Sequence, residues 1–243
     1  MTVRRGSYGI DAPVVVAAFA AAVATCAAGV VVFAVLGITP AVVGLAISGI
    51  WVLCQLALYL HVTWRGKFVV WSSLLSELGL RGDERLLDMG CGRGAVLLAA
   101  AERLPNGNAV GVDLWRGVDQ SGNRETLTRS NAIAEGVSDR VELCTSDMTD
   151  LPFPDGSFDV VVSNLAIHNI GSRAGRGAAL DEALRVLRPG GRLMIADIRR
   201  AREYRDHLVE RRVCDIVLRP LGWRMWCGGP WESTTMVTAV KPG

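Results

Sequence analysis

The chain of 243 residues lacks several features that would place it in common classes of protein. Its six cysteines include no Cys-x-x-Cys pair, so their spacing predicts neither a zinc site nor a redox pair, and we expect no bound metal. The 26 basic and 24 acidic side chains nearly cancel, which leaves a net charge of +2. Without a strong positive field, the composition does not favour nucleic acid as a partner.

Charge is also absent from two long apolar runs near the N-terminus, residues 14–38 and 41–60. About 20 apolar residues cross the hydrocarbon core of a bilayer, so both runs are long enough. Only Thr39 and Pro40 separate them, which predicts a transmembrane hairpin with spans over about 14–38 and 41–62. Two buried core helices are the alternative that hydropathy leaves open, whereas a cleaved signal peptide would not be followed at once by a second span.

Four basic residues flank the hairpin, and all are on the same side of it: Arg4, Arg5, Arg65 and Lys67. The positive-inside rule therefore predicts that both ends face the cytoplasm. We expect a multi-pass protein of the cell membrane, in contact with membrane lipid, with the hairpin in residues 1–64 and a cytoplasmic domain in residues 65–243. Gly44 and Ser48 lie four residues apart and would permit close helix packing, and hence a homo-oligomer through the hairpin.

After residue 64, apolar segments with strand and helix periods alternate. The predicted strands are 85–89, 109–113, 141–145, 158–163, 192–198, 223–227 and 234–240. The predicted helices are 68–78, 95–103, 125–135, 177–187 and a basic helix over 202–218, with a turn at Pro189-Gly190-Gly191. Such alternation indicates an α/β fold with a mostly parallel sheet that binds ligands at the carboxyl ends of its strands.

The strongest local signal is residues 86–94, Leu-Leu-Asp-Met-Gly-Cys-Gly-Arg-Gly, an apolar strand that ends in an acid and opens through three alternate glycines into a helix. Glycines let the backbone turn tightly and approach a ligand closely. Dinucleotide-binding folds use a related turn with the spacing Gly-x-Gly-x-x-Gly. Asp88 would repel a pyrophosphate but attract a ligand that carries ammonium and sulfonium cations. An NAD-dependent oxidoreductase is therefore the weaker alternative.

This segment resembles the first motif of class I S-adenosylmethionine-dependent methyltransferases, and the similarity extends from about residue 74 to residue 241. Further motifs of the same series are residues 111–114, 146–148, 151–161 and 183–191. The resemblance implies S-adenosylmethionine as the methyl donor and a Rossmann-like, doubly wound, seven-stranded sheet whose last strand is antiparallel. The implied donor-binding residues are Asp88, Gly90, Cys91, Gly92, Asp113, Leu114, Asp147, Met148 and Asn164. Asp113 would accept hydrogen bonds from the ribose, and Asp147 and Met148 would contact the adenine.

The implied mouth of the active site follows the fourth strand, at residues 163–169, and contains His168. Because imidazole titrates near neutral pH, we hypothesise that His168 is catalytic and orients or deprotonates the acceptor. The alternative is a structural hydrogen bond to a neighbouring loop. The hairpin indicates a small lipophilic acceptor that partitions into the membrane, such as a quinone, a lipid or a hydrophobic xenobiotic. A membrane-tethered, non-catalytic module that binds S-adenosylmethionine or a partner is the alternative from another class.

Two further segments have no assigned role in this prediction. The polar loop 115–123 would either line the donor site or be an ordinary surface loop. Trp223, Trp226 and Trp231 would form an apolar lid over the acceptor or pack the edge of the sheet.

Overall fold

The computed structural model describes residues 4–243 and begins with an extended arm, residues 4–12, that leads into a helical hairpin. Its helices are α1, Pro13–Val35, and α2, Thr39–His61. Each has a proline in its first turn. Proline lacks an N–H group, but the first N–H groups of a helix have no acceptor within it, so no hydrogen bond is lost. The prediction that Thr39 and Pro40 form the connection is therefore wrong: they begin α2, and the turn precedes them, with Gly37 at φ 71°.

The two hairpin helices pack on each other and expose their remaining surface. Glycines allow the close approach, because a Cβ atom on Gly29 would lie 2.8 Å from the side chain of Leu45. Outward-facing residues such as Val35 and Ile50 are 83% and 64% exposed. Both helices are long and apolar enough to cross a membrane.

Helix α2 does not end at the hairpin but continues through a π-helical turn, Val62–Gly66, into α3, Lys67–Glu77. Trp71 and Leu75 of α3 are almost completely buried against the sheet domain. The hairpin is therefore joined to the sheet domain by a continuous helix.

The remaining elements alternate along the chain. They are β1 Arg85–Met89, α4 Ala95–Ala101, β2 Asn108–Asp113, α5 Glu125–Glu135, β3 Val141–Thr145, β4 Phe158–Asn164, α6 Arg173–Val186, β5 Leu187–Ile198, α7 Ala201–Glu210, β6 Cys214–Pro220 and β7 Thr234–Val240. The strand order is β3-β2-β1-β4-β5-β7-β6, and β7 runs antiparallel to both neighbours while the other pairs are parallel. The predicted fold class, a seven-stranded Rossmann-like sheet with an antiparallel last strand, is confirmed.

Helices cover both faces of this sheet. Successive residues of β1 and β4 point to opposite faces, so Leu86 and Val160 pack into one core cluster and Leu87 and Val161 into the other. Strands buried on both faces have nearly continuous apolar sequences, which is why β1 and β4 were predictable as short apolar runs.

The C-terminal third departs most from the predicted elements. The helix predicted over 202–218 is wrong, because α7 ends at Glu210, Arg212 adopts a left-handed φ of 56°, and residues 214–220 form edge strand β6. The strand predicted over 223–227 is also wrong, since a 3₁₀ turn occupies Trp223–Met225.

Two boundaries near β5 also move. Helix α6 begins at Arg173, before the predicted residue 177, because the Ser172 hydroxyl caps the N–H of Gly175. The predicted Pro189-Gly190-Gly191 turn lies inside the long strand β5, where the pairing with β4 is irregular and Gly190 has a φ of 74°.

Candidate functional site

A cleft of about 310 Å³ lies beyond the carboxyl ends of the parallel strands. This volume is in the usual range for small-molecule sites, roughly 300–1,000 Å³. All nine residues predicted to bind the donor line the cleft: Asp88, Gly90, Cys91, Gly92, Asp113, Leu114, Asp147, Met148 and Asn164. The fold thus brings together side chains from the ends of β1, β2, β3 and β4, while their binding roles stay predictions.

The turn after β1 requires glycine. Gly90, Gly92 and Gly94 have φ values of 77°, 49° and 84°, in the left-handed region that favours this residue. A Cβ atom on Gly90 would lie 2.2 Å from the Cβ of Ala166, so any side chain there would collide with this residue of the cleft wall. Asp113 accepts a hydrogen bond of 2.8 Å from the N–H of Gly92, which fixes the turn against the end of β2.

Asp88 is the cleft's buried carboxyl group, at 1% exposure. Its Oδ2 atom has no hydrogen-bond partner, although buried polar atoms are nearly always paired. Burial, together with the nearby Asp113 carboxylate, raises the pKa of Asp88 to about 7. A cationic ligand would complete this site, so the residues present fit S-adenosylmethionine, which carries both an ammonium and a sulfonium group.

The polar loop 115–123 lines the cleft rather than being an ordinary surface loop, through residues that include Gln120 and Asn123. The Gln120 side chain accepts a hydrogen bond of 2.7 Å from the N–H of Arg93 and donates one of 2.7 Å to Asp11 Oδ1. Lys67 Nζ donates to both Asp11 oxygens, at 2.7 and 2.8 Å, and is only 2% exposed. Asp11 and Lys67 also line the cleft, so a residue that precedes the hairpin in the sequence meets one that follows it.

The N-terminal arm is held to the domain over its whole described length. Arg93 donates from its guanidinium to Ser7 Oγ at 3.0 Å, and Asn131 pairs with both the N–H and the carbonyl of Ser7. The Tyr8 hydroxyl donates to Glu135 at 2.7 Å. These contacts place Asp11 at the cleft, a position that the sequence analysis missed because its partners lie 56 and 109 residues away.

His168 lies in a 3₁₀ turn between Ala166 and Asn169, which line the cleft, but is not itself a lining residue. Its Nδ1 atom is 2.5 Å from Oδ1 of Asp197, and its backbone N–H donates to Oδ2 at 3.0 Å. Asp197 is fully buried at the end of β5 and also accepts a hydrogen bond of 2.9 Å from the Tyr204 hydroxyl. The Asp197 carboxylate therefore fixes the imidazole ring, and the sequence analysis missed this residue.

Two other predicted residues make specific contacts in the cleft wall. Asn164 accepts a hydrogen bond of 2.8 Å from the Trp71 indole, which links the end of β4 to α3. Asp147 Oδ1 accepts from the N–H and the hydroxyl of Thr149, at 2.9 and 2.8 Å. Within residues 4–243, no group of three or more His, Cys, Asp or Glu side chains is arranged to hold a metal ion.

Comparison with known proteins gives consistent matches. Residues 87–195 match a family model described as a methyltransferase domain. The ubiquinone/menaquinone biosynthesis C-methyltransferase UbiE of Dinoroseobacter shibae is 36% identical over 138 residues, which are 57% of this chain and 49% of that protein. The 27-O-demethylrifamycin SV methyltransferase of Amycolatopsis mediterranei is 38% identical over 124 residues, 51% of this chain and 42% of that protein.

Among solved structures, a SAM-dependent methyltransferase from Aquifex aeolicus has a TM-score of 0.56 at 18% identity, covering 70% of this chain and 88% of that one. The chain spans about half the length of the curated relatives it matches. The matches confirm the predicted resemblance to methyltransferases for residues 87–195 and the predicted fold, while the activity and the donor of this chain belong to the proposal below.

Proposed function

We propose that this chain, which carries a class I S-adenosylmethionine-dependent methyltransferase domain, methylates a small lipophilic acceptor that partitions into the membrane. A quinone, a lipid or a hydrophobic xenobiotic is the acceptor class, and relatives named for ubiquinone and menaquinone synthesis support the first of these. The observation that supports S-adenosylmethionine as the donor is the buried Oδ2 atom of Asp88, which has no hydrogen-bond partner and lies in a cleft lined by all nine predicted donor-binding residues.

We further propose that the hairpin is a two-span anchor in the cell membrane, with both termini and the domain on the cytoplasmic side. Helix α2 begins at Thr39, next to the hairpin turn, and its buried residue is Tyr59. At about 1.5 Å per residue, roughly 30 Å of helix separates these two residues. That length matches the hydrocarbon core of a bilayer, roughly 30 Å. The division into residues 1–64, which contain the anchor helices, and a methyltransferase domain, 65–243, is part of this proposal, although the arm before the hairpin packs on that domain. An anchored domain would meet an acceptor that is concentrated in lipid.

The chain's own residues position the reaction. S-adenosylmethionine supplies, when bound, a methyl group on a positively charged sulfur. Asp88 would hold the cationic part of the donor, and Asp113 the ribose hydroxyls. Gly90 lets the turn after β1 pack closely against Ala166 in the cleft wall, because a Cβ atom at position 90 would collide with that residue. Holding donor and acceptor in reactive geometry supplies most of what methyl transfer requires.

His168 is the base of this proposal. In this proposal Asp197 accepts a hydrogen bond from the Nδ1–H of His168, which would leave Nε2 to take a proton from the acceptor. Such a base matters when the acceptor is a phenol or hydroquinone, whose hydroxyl proton leaves as the methyl group is transferred. The Tyr204 hydroxyl and the His168 backbone hold Asp197 in place.

The experiment uses full-length protein in lipid nanodiscs, isotope-labelled donor and a panel of hydroquinones. We expect His168→Ala to bind S-adenosylmethionine normally in calorimetry but to lose roughly 10²- to 10⁴-fold in rate, the usual contribution of a general base. Asp197→Asn should also lower the rate and shift its pH profile.

His207 is a matched control, because its Nε2 pairs with Asp181 at 2.8 Å on a surface away from the cleft. His207→Ala should leave both binding and rate unchanged. Full activity in His168→Ala would exclude the base role. Donor binding with no methylated product from any acceptor would instead identify a non-catalytic binding module.

A further inference from the structure

The connection between β6 and β7 carries three tryptophans that lie away from the donor cleft. We call residues 223–232 the tryptophan segment; it consists of two 3₁₀ turns, Trp223–Met225 and Pro230–Glu232, and the residues between them. Trp223 and Trp231 are 47% and 54% exposed, and the residues that line the cleft include none of this segment. Neither predicted role, a lid over the acceptor or packing of the sheet edge, accounts for these positions.

The tryptophan segment instead runs along the hairpin. The Trp223 ring stacks on His61 at the end of α2, with 4.9 Å between ring centroids. The Trp231 ring contacts Trp51, further along the same helix, at 5.4 Å. The tryptophan segment also lies against α1. A Cβ atom on Gly228 would be 3.4 Å from the Phe19 ring of that helix.

The contacts extend from the end of α2 to its middle. His61 and Trp51 are ten residues apart on α2, which is about 15 Å along the helix axis. Half of a bilayer's hydrocarbon core is also about 15 Å thick. If His61 is at the cytoplasmic interface, the tryptophan segment extends from that interface into the cytoplasmic half of the membrane.

The chemistry of the segment suits this position. Tryptophan is enriched at membrane interfaces, because its ring is apolar and its N–H is polar. The segment's two charged side chains are both partnered: Glu232 accepts from Arg199 at 2.6 Å on each oxygen, and the Arg224 guanidinium lies 4.9 Å from the Trp223 ring centroid. Pairing lowers the cost of bringing these charges near lipid.

We propose that the tryptophan segment is a second lipid-contact surface of this protein, which inserts Trp223 and Trp231 into the cytoplasmic leaflet beside the hairpin. This inference rests on the proposed membrane insertion of the hairpin and extends it to the catalytic domain. Two aromatic contacts at different depths would add to the continuous helix in fixing how deep the domain sits and how it tilts.

The test labels the full-length protein with 5-fluorotryptophan and places it in nanodiscs for fluorine NMR. Each of the seven tryptophans gives a resonance, which single Trp→Phe variants assign. Spectra are then compared between ordinary lipid and lipid with a nitroxide on its acyl chain. Trp51 reports on the hairpin and Trp223 and Trp231 on the segment. Trp115, whose indole donates to Thr145 at the far edge of the sheet, is the soluble control.

We expect the nitroxide to broaden the resonances of Trp51, Trp223 and Trp231 and to leave that of Trp115 sharp. Broadening of Trp51 without Trp223 and Trp231 would overturn the proposal while leaving hairpin insertion intact. Sharp resonances for Trp51 as well would refute membrane insertion itself, and the lipid-contact surface with it. The two failures are therefore distinguishable in one experiment.

Discussion

Replacing Asp88 with asparagine removes a charge that the fold tolerates poorly and that the donor is proposed to require. The folded-state pKa of Asp88 is about 7, against 3.8 for an unperturbed aspartate. Between these values the folded protein keeps a proton that the unfolded chain loses, so stability falls as pH rises from about 4 to about 7. At about 1.4 kcal/mol per pH unit, the loss above pH 7 is roughly 4 kcal/mol.

We therefore expect Asp88→Asn to have nearly the parent's stability at about pH 4 and to be more stable by at most about 4 kcal/mol at about pH 8. For a chain of this size that is on the order of 10 °C in melting temperature. The asparagine amide inherits the unpaired position of Oδ2, which makes this gain an upper limit.

Donor binding should change in the opposite direction. In the parent, affinity for S-adenosylmethionine should fall about tenfold per pH unit below about 7, because protonation of Asp88 removes its attraction for the donor's cations. In Asp88→Asn, affinity should be low at every pH. The assays are thermal unfolding and calorimetry of detergent-solubilised protein across this pH range, with NAD as a control ligand.

Two results would refute the reasoning about Asp88. One is a stability difference between parent and variant that does not change with pH, since it would mean that the carboxyl group titrates normally. The other is unchanged donor affinity in Asp88→Asn, since it would show that the carboxylate does not contact the cationic part of the ligand.

Two further predictions concern the hairpin. Asp11→Asn leaves the Lys67 ammonium buried without its counter-ion and should destabilise the protein by about 3–5 kcal/mol, measured as a lowered melting temperature; an unchanged value would mean that the pair is only a surface contact. The orientation is tested with single cysteines in a background without other exposed cysteines. A cysteine at Leu36, in the hairpin turn, should react with a membrane-impermeant thiol reagent in intact cells, whereas one at Gly243 should react only after permeabilisation. The reverse pattern would contradict the proposed orientation.

The sequence predicted the parts of the site that depend on local pattern. The glycine turn after β1 needs an acid and three alternate glycines, all within the nine residues 86–94, and a helix directly after them. Asp113 and Asn164 could be predicted as site residues because each lies at the end of an apolar strand, and the ends of neighbouring parallel strands meet at one edge of the sheet.

Parts of the site that depend on tertiary pairing were not predictable in this way. His168 was identified by residue type, but its partner Asp197 is 29 residues further along, near the end of β5 and beyond the last motif, which ends at residue 191. Asp11 and Lys67 flank an apolar hairpin, where charged residues are expected for topology alone, so nothing in their local sequence indicated a cleft.

The errors near the C-terminus have a similar physical origin. Residues 214–218 continue directly from a basic amphipathic helix, and no glycine or proline marks the end of α7. The break is made by Arg212 in the left-handed region, a conformation that arginine adopts only when the surrounding structure imposes it. Pairing with β7 then selects the strand conformation for β6.

The arm of residues 4–12 makes the hairpin an insertion within the catalytic unit rather than a leader in front of it. The chain enters the domain, contributes Asp11 to the cleft wall, passes through the hairpin and returns to the same wall at Lys67. Removing residues 1–64 to obtain a protein without the hairpin would therefore also remove part of the cleft wall. Replacing only the two helices with a short flexible linker between Ala12 and Val62 would keep that wall, and it is the version of the protein to prepare for work without lipid.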